Sequence, residues 1–400
     1  MRRWLLALAG LVLLGIAAFF MLAPGIAERS MNRVVATPLP PVTPATRALH
    51  ARLTIADMHG DTLFWSRDPL APAKRGHIDL PRLIAGNVAL QLFSSVTKTP
   101  KGQNYDANDG DSDNITALAI GQLQPVRTWG SLLERSLWHG VKLERAAARS
   151  EGRLRMVRSA ADLDRLLADR ARGGRGVPVG AMLTIEGLHN LEGRLGNLDR
   201  LHAAGFRMAG LTHFFDNAVA GSMHGVRKHG LTPFGRRVVR RMEALGMVVD
   251  IAHASHESVA QVLAMATRPV VSSHGGVQAT CRVNRNLTDA EIRGIAATGG
   301  VVGIGYWDAA VCSTAPSAIA AAIAHVRDVA GIDHAGLGSD FDGAVTTGFD
   351  AAQLAAITQA LVDRGFAEDE IAKVMGGNVL RVLRAGIVPR ATSPARARPL

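Results

Sequence analysis

Met247-Val-Val-Asp-Ile-Ala-His253 and Pro269-Val-Val-Ser-Ser-His274 are two short apolar runs, each closed by a histidine. An apolar run followed at once by a metal-binding residue type is how a strand of a parallel barrel delivers a side chain to the barrel mouth. Working outward from this pair, eight β-rich runs are legible, over residues 53–58, 88–94, 179–185, 208–212, 247–252, 269–273, 300–306 and 335–339. Each leads into a helical pattern or a loop towards one. Continuous apolar strands alternating with helices imply parallel pairing through right-handed crossovers, and eight of them imply a (β/α)8 TIM-like barrel. Helix punctuation agrees: Thr232-Pro233 reads as an N-cap with proline at the first helical position, Gly246 as a stop, and Thr288-x-x-Glu291 as a capping box. An open doubly wound sheet would want a glycine-rich phosphate turn after its first strand, and none follows residues 53–58.

The remaining organisation follows from composition. The chain has 400 residues, 48% of them hydrophobic, enough to build a large globular core. Residues 1–24 stand apart: Arg2 and Arg3 precede an unbroken apolar run from Trp4 to Ala23, long enough for a helix to cross a bilayer. The flanking arginines place the N-terminus inside and the body outside, in a periplasmic or extracellular position. A cleaved signal peptide competes, but its apolar region is shorter and Gly25-Ile-Ala27 is a poor cleavage site, so an uncleaved anchor is preferred. Residues 25–50, with the proline-rich run 37–44, are expected to be a spacer, residues 51–388 the catalytic barrel, and residues 389–400 a frayed tail.

The formal charge of +11 does not point to nucleic acid, because the arginines are spread along amphipathic helices such as 159–171 and no aromatic stacking pattern interleaves them. The long segment 97–176 is too much for one crossover and is expected to add helices and an insertion over the mouth. Its acidic part, 106–114, does not fit a calcium loop: counting from Asp109, the glycine and glutamate positions hold Asn114 and Ile120. Cys281 and Cys312 show no CxxC spacing. Sequence leaves open whether they are bonded.

The chemistry is expected at the strand ends. His59 and Asp61 flank one residue after the first run and can reach one ion together; Glu186 directly follows the third run, where a carboxylate is costly to bury unless paired or bound to metal. Its two oxygens suit it to bridge two ions, with His253 and His274 supplying imidazoles to the second. Each histidine alone is more often structural; five such residues at the ends of strands one, three, five and six make a dinuclear site. Imidazole and carboxylate without thiolate favour zinc. Such a pair of ions can hold a water, lower its pKa and polarise the bond under attack, which is hydrolytic chemistry. His213, after the fourth strand, is suited to an oxyanion, Arg285 to a bidentate hold on a carboxylate, and Asp340, preferred over Asp342 because it comes first after the eighth strand, to proton transfer. Asp57 and Asp250 either orient the ligand imidazoles or bind backbone at strand ends.

Together, Asp57-x-His59-x-Asp61, Ile185-Glu-Gly187, Leu211-Thr-His213, Gly230-Leu-Thr-x-Phe-Gly235, Asp250-x-x-His253-x-Ser255, Ser273-His274, Arg285-Asn286, Gly338-Ser-Asp-Phe-Asp-Gly343 and Met375-Gly-Gly-Asn378 resemble the membrane (renal) dipeptidase family of zinc peptidases. The resemblance runs from about Ile55 to Arg384. It implies a distorted (β/α)8 barrel with two zinc ions bridged by Glu186, one also held by His59 and Asp61 and the other by His253 and His274. His213, Arg285 and Asp340 match substrate-contacting positions. The implied reaction is dipeptide hydrolysis, with tolerance for a C-terminal D-residue, and homodimers are common in the family. The chain departs from the family at Met58 and Gly60 beside the first histidine, and in the loop 214–228. A competing hydrolase of the same broad type, such as a lactonase or cyclic amidase, usually begins with HxH and uses a bridging lysine; here the residues are HxD and Glu186.

Overall fold

The computed structural model describes residues 2–35, 38–173 and 177–388. All eight expected runs become strands: β1 Ile55–Asp57, β2 Val88–Val96, β3 Val179–Glu186, β4 Phe206–Gly210, β5 Val248–Asp250, β6 Val270–Ser272, β7 Val301–Ile304 and β8 Ala335–Leu337. Each pairs in parallel with the next, and β8 pairs with β1 through Leu337 and Asp57, so the sheet closes into a barrel with helices outside it. The strands are buried along their length except at Arg207 in β4, as continuous apolar runs require when one face meets the barrel interior and the other the helices.

Several strands are shorter than their apolar runs, for a local reason. Asp250 Oδ1 accepts from the amides of Ala252 and Ser273 at 3.0 and 2.9 Å, so the chain leaves the ladder after β5 and turns its next side chains into the mouth. Gly338, just past β8, passes so close to β6 that a Cβ there would lie 1.8 Å from the Ser273 carbonyl oxygen; no other residue fits without moving the loop that carries His274.

The helix signals are realised. Thr232 accepts from Gly235 N at the start of Pro233–Leu245, Gly246 ends that helix at φ 72°, and Thr288 and Glu291 form the capping box of Asp289–Ala297. Segment 97–176 supplies helices Ile115–Gly121, Arg127–Gly130, Leu132–Arg149 and Ala160–Arg172, plus a strand, Leu154–Met156, that pairs with Val179–Ala181 of β3. That strand escaped the sequence reading because only Leu154 of its three residues is buried.

The N-terminal region differs from expectation. The apolar helix runs from Arg2 to Met31, through Pro24 and past the expected boundary at residue 24. It is long and apolar enough to cross a membrane, and the most apolar 18-residue window is wholly unburied. Residues 25–50 are not a free spacer. Their first part continues the helix, Arg33–Val34 pairs in parallel with Thr346–Thr347, and Pro44–Arg52 is a helix capped by Thr43. The physical reason is Glu28, fully buried and bonded to Arg67 and Arg75 of the barrel domain; a charge taken out of water must keep its partners, which ties the segment down. Thr37 of the proline-rich run and the expected tail 389–400 lie outside the described residues.

Candidate metal and substrate site

The eight residues given ligand or substrate roles from the sequence come together at the C-terminal mouth of the barrel. His59 and Asp61 follow β1, Glu186 closes β3, His213 follows β4, His253 follows β5, His274 and Arg285 follow β6, and Asp340 follows β8. None of the eight is more than 8% exposed. His253 and Asp340 take left-handed backbone conformations, φ 62° and 59°, an unusual choice for residues with a Cβ and one found where a side chain is being aimed.

Glu186 is the centre. Its Oε2 lies 3.6 Å from His59 Nε2, while Oε1 lies 2.9 Å from His253 Nε2, 3.3 Å from His274 Nε2 and 3.5 Å from His213 Nε2. Asp61 Oδ1 is 3.5 Å and Asp340 Oδ1 3.9 Å from His59 Nε2. The two oxygens of one carboxylate thus face two sets of donors. Three overlapping groups are compact enough to hold an ion: His59 with Asp61 and Glu186; Glu186 with His213 and His253; and His59 with His274 and Asp340. The first is the trio expected from sequence. Around Oε1, His213, expected to serve the substrate, stands nearly as close as His274.

The donor set fits metal. His59 Nε2 and Asp61 Oδ1 are buried and have no hydrogen-bond partner, a cost of roughly 1–3 kcal/mol each that a cation between them removes. Burial disfavours charge on His59, yet Asp61 and Glu186 outweigh it and raise its pKa well above the usual value, so this end of the cluster demands positive charge. Burial, with Asp61 adding to it, raises the pKa of Glu186. Burial also holds His213, His253 and His274 well below the ordinary histidine value, leaving neutral imidazoles, the form that ligates.

The two aspartates before the ligands bind backbone. Asp57 Oδ1 accepts from His59 N at 3.0 Å and from Ser339 N and Oγ at 3.1 Å each, joining the β1 and β8 ends as Asp250 joins those of β5 and β6. Asp340 and Asp342 separate cleanly. Asp340 faces the cluster, and burial raises its pKa well above the carboxylate range, with Asp61 and Glu186 adding to the effect. Asp342 points away, accepting from Thr62 Oγ1 at 2.7 Å, His77 N at 2.6 Å and Arg67.

Arg285 donates from Nη1 to the His274 carbonyl oxygen at 3.2 Å and lies over the Trp307 ring at 4.6 Å. Cys281 and Cys312 are bonded, with Cα atoms 5.3 Å apart, which ties the Arg285 loop to the segment after Trp307. Sequence reasoning missed Tyr105, Phe214 and Trp307, which line the same cleft. Trp307 was findable, since it directly follows the seventh run; Tyr105 arrives from the insertion by tertiary packing alone.

A closed parallel barrel with an imidazole–carboxylate cluster at its C-terminal mouth defines a metal-dependent hydrolase of the barrel type. Residues 44–393 match the membrane dipeptidase family, peptidase family M19, and the chain belongs to it. It is similar to dipeptidase tcpJ of Claviceps purpurea, 29% identical over 79% of this chain and 71% of that protein. It is also similar to dipeptidase aclJ of Aspergillus oryzae, 36% identical over 51% of each. The fold is shared with the probable dipeptidase PvdM from Pseudomonas aeruginosa, at a TM-score of 0.72 and 19% identity over 86% of this chain and 98% of that one. A metallopeptidase from Rhodobacter sphaeroides, liganded with a phosphinate mimic of the dipeptide L-Ala-D-Ala, matches at a TM-score of 0.67 and 24% identity over 84% and 99%. The chain is a metallodipeptidase of this family.

Proposed function

We propose that the chain is a dinuclear zinc dipeptidase, anchored by its N-terminal helix with residues 51–388 outside the cytoplasm. The observation that carries this reading is Glu186, whose two oxygens face His59 on one side and His253 and His274 on the other. His59, Asp61 and Glu186 would hold one ion, and Glu186, His253 and His274 the other. Zinc bound there would supply Lewis acidity and a water acidic enough to attack at neutral pH.

The chain's own residues do the rest. Arg285, held over Trp307, grips the dipeptide's terminal carboxylate and fixes the scissile bond above the cluster. His213, a neutral imidazole, donates a hydrogen bond to the carbonyl oxygen as it gains charge. Asp340 accepts the proton of the attacking water and returns it to the nitrogen of the breaking C–N bond, releasing a carboxylate and an amine. The dipeptide mimic bound by the Rhodobacter sphaeroides relative, with its D-alanine in the C-terminal position, supports substrates ending in a D-residue.

Metal analysis and a substrate panel test the reading. Purified chain is expected to carry two zinc ions, to lose dipeptide hydrolysis on chelation and to regain it with zinc. Activity surviving chelation, or turnover of lactones or cyclic amides but not dipeptides, overturns it in favour of another barrel hydrolase.

A further inference from the structure

The N-terminal helix does more than pass through the region: it walls the cleft. Phe19, Ala23, Ala27 and Met31, spaced four apart and therefore on one helix face, line the same 570 Å³ cavity as Glu186, Arg285 and Asp340. Phe64, Ile115 and Leu118 line the same cavity. The cavity thus joins an apolar stripe of the helix to the charged residues of the cluster.

The helix is fixed in that position by bonds to the catalytic loop. Glu28 Oε1 accepts from Arg67 Nε at 2.5 Å and Oε2 from Arg75 Nε at 2.6 Å. Arg67 also donates to Asp342, two residues beyond Asp340. Past the helix, Asn32 Oδ1 accepts from Ala344 N at 2.8 Å, and Val35 N donates to the Thr347 carbonyl oxygen at 2.9 Å. Glu28, fully buried, thus reaches Asp342 through Arg67 and holds the end of the helix beside the segment that follows β8.

We propose that the stripe Phe19, Ala23, Ala27 and Met31 is a specificity-determining wall, and that the enzyme's substrates are dipeptides bearing a bulky apolar side chain. This rests on the dipeptidase reading above. With the carboxylate on Arg285 and the peptide bond over the cluster, a side chain projects into the cavity beside the helix stripe, where contact with Phe19, Ala23, Ala27 and Met31 rewards aliphatic and aromatic groups. The helix is exposed and apolar from residue 4 to residue 17, ahead of the stretch that walls the cleft.

Full-length protein in detergent, loaded with zinc, is assayed on Ala-Ala and on dipeptides with Leu, Phe or Lys at either position. Burying the additional methylenes, at about 0.8 kcal/mol each, is expected to raise kcat/KM for Leu or Phe over Ala at one position by about ten-fold or more. Lys is expected to be disfavoured there. Ala23→Phe and Ala27→Phe, which fill the cavity beside the stripe, are expected to lower the Leu-to-Ala ratio about ten-fold, and Glu28→Gln, which loosens the wall, to lower it in the same direction. A ratio unmoved by all three variants, or wild-type enzyme indifferent to side-chain size, overturns the wall while leaving the dipeptidase intact. Failure to cleave any dipeptide overturns the dipeptidase reading itself.

Discussion

Replacing both cysteines by serine tests whether the substrate-carboxylate grip depends on a covalent staple. Cys281 lies four residues before Arg285 and Cys312 five after Trp307, so the bond joins the arginine's loop to its aromatic platform. The bond spans a sequence separation of 31 residues, and loop-closure entropy for that length corresponds to about 4 kcal/mol of stability. Asn286 Nδ2 donates to the carbonyl oxygens of Cys281 and Ala310, at 2.8 Å each, across the same gap. The loops therefore stay associated when the disulfide is gone, and Arg285 loses alignment without leaving the site. Urea unfolding followed by fluorescence, on oxidised wild type and the Cys281→Ser/Cys312→Ser variant, is expected to show the stability loss as a lower midpoint, with a steeper slope because the unlinked denatured chain exposes more surface. Steady-state kinetics are expected to show KM rising several-fold while kcat and metal content hold. Equal midpoints would refute the stability argument, and a fall in kcat at constant KM would refute the assignment of Arg285 to binding.

Two further outcomes follow from the site and its surroundings. If Asp340 transfers the proton as proposed, Asp340→Asn, which keeps the side chain's size, is expected to lower kcat about 10²–10⁴-fold with KM little changed, measured with Asp342 intact and metal content verified. Burial holds His189 and His224 at pKa values of about 3. In the unfolded chain these groups take up protons near pH 6.5, while in the folded protein they do not until about pH 3, so stability falls as pH drops through that window. The slope contributed by each is about 1.4 kcal/mol per pH unit. Denaturation midpoints between pH 7 and 4 are expected to decline less steeply for His189→Gln than for wild type; parallel curves would exclude His189 as a source of acid lability.

Much of the molecule was legible from local chemistry. Apolar runs buried on both faces, such as 179–185 and 269–273, have no stable alternative to a parallel strand covered by helices, and a ligand placed at the end of each can face only the mouth. The family resemblance then assigned roles to the same residues. Less was visible where the cause is non-local. Strand Leu154–Met156 has one buried side chain and exists because the first residues of β3, ahead of its pairing with β4 from Leu183, leave a side for it. His213 was read as a substrate group, yet only the barrel's closure sets it 3.5 Å from Glu186, nearly level with His274.

The sequence by itself determined the barrel, the identity of the five metal-binding candidates and their helpers, and an apolar N-terminal helix, because each depends on periodicity or on a residue's place relative to its own strand. Only the tertiary structure decided that Asp57 and Asp250 clamp backbone, that Asp342 turns away towards Arg67, that the two cysteines bond, and that Glu28 draws the end of the helix into the cleft wall. Those outcomes depend on pairs such as Glu28 and Arg67, or Arg67 and Asp342, brought together from distant parts of the chain. A buried charge goes wherever its partner is, and no local pattern records where that will be.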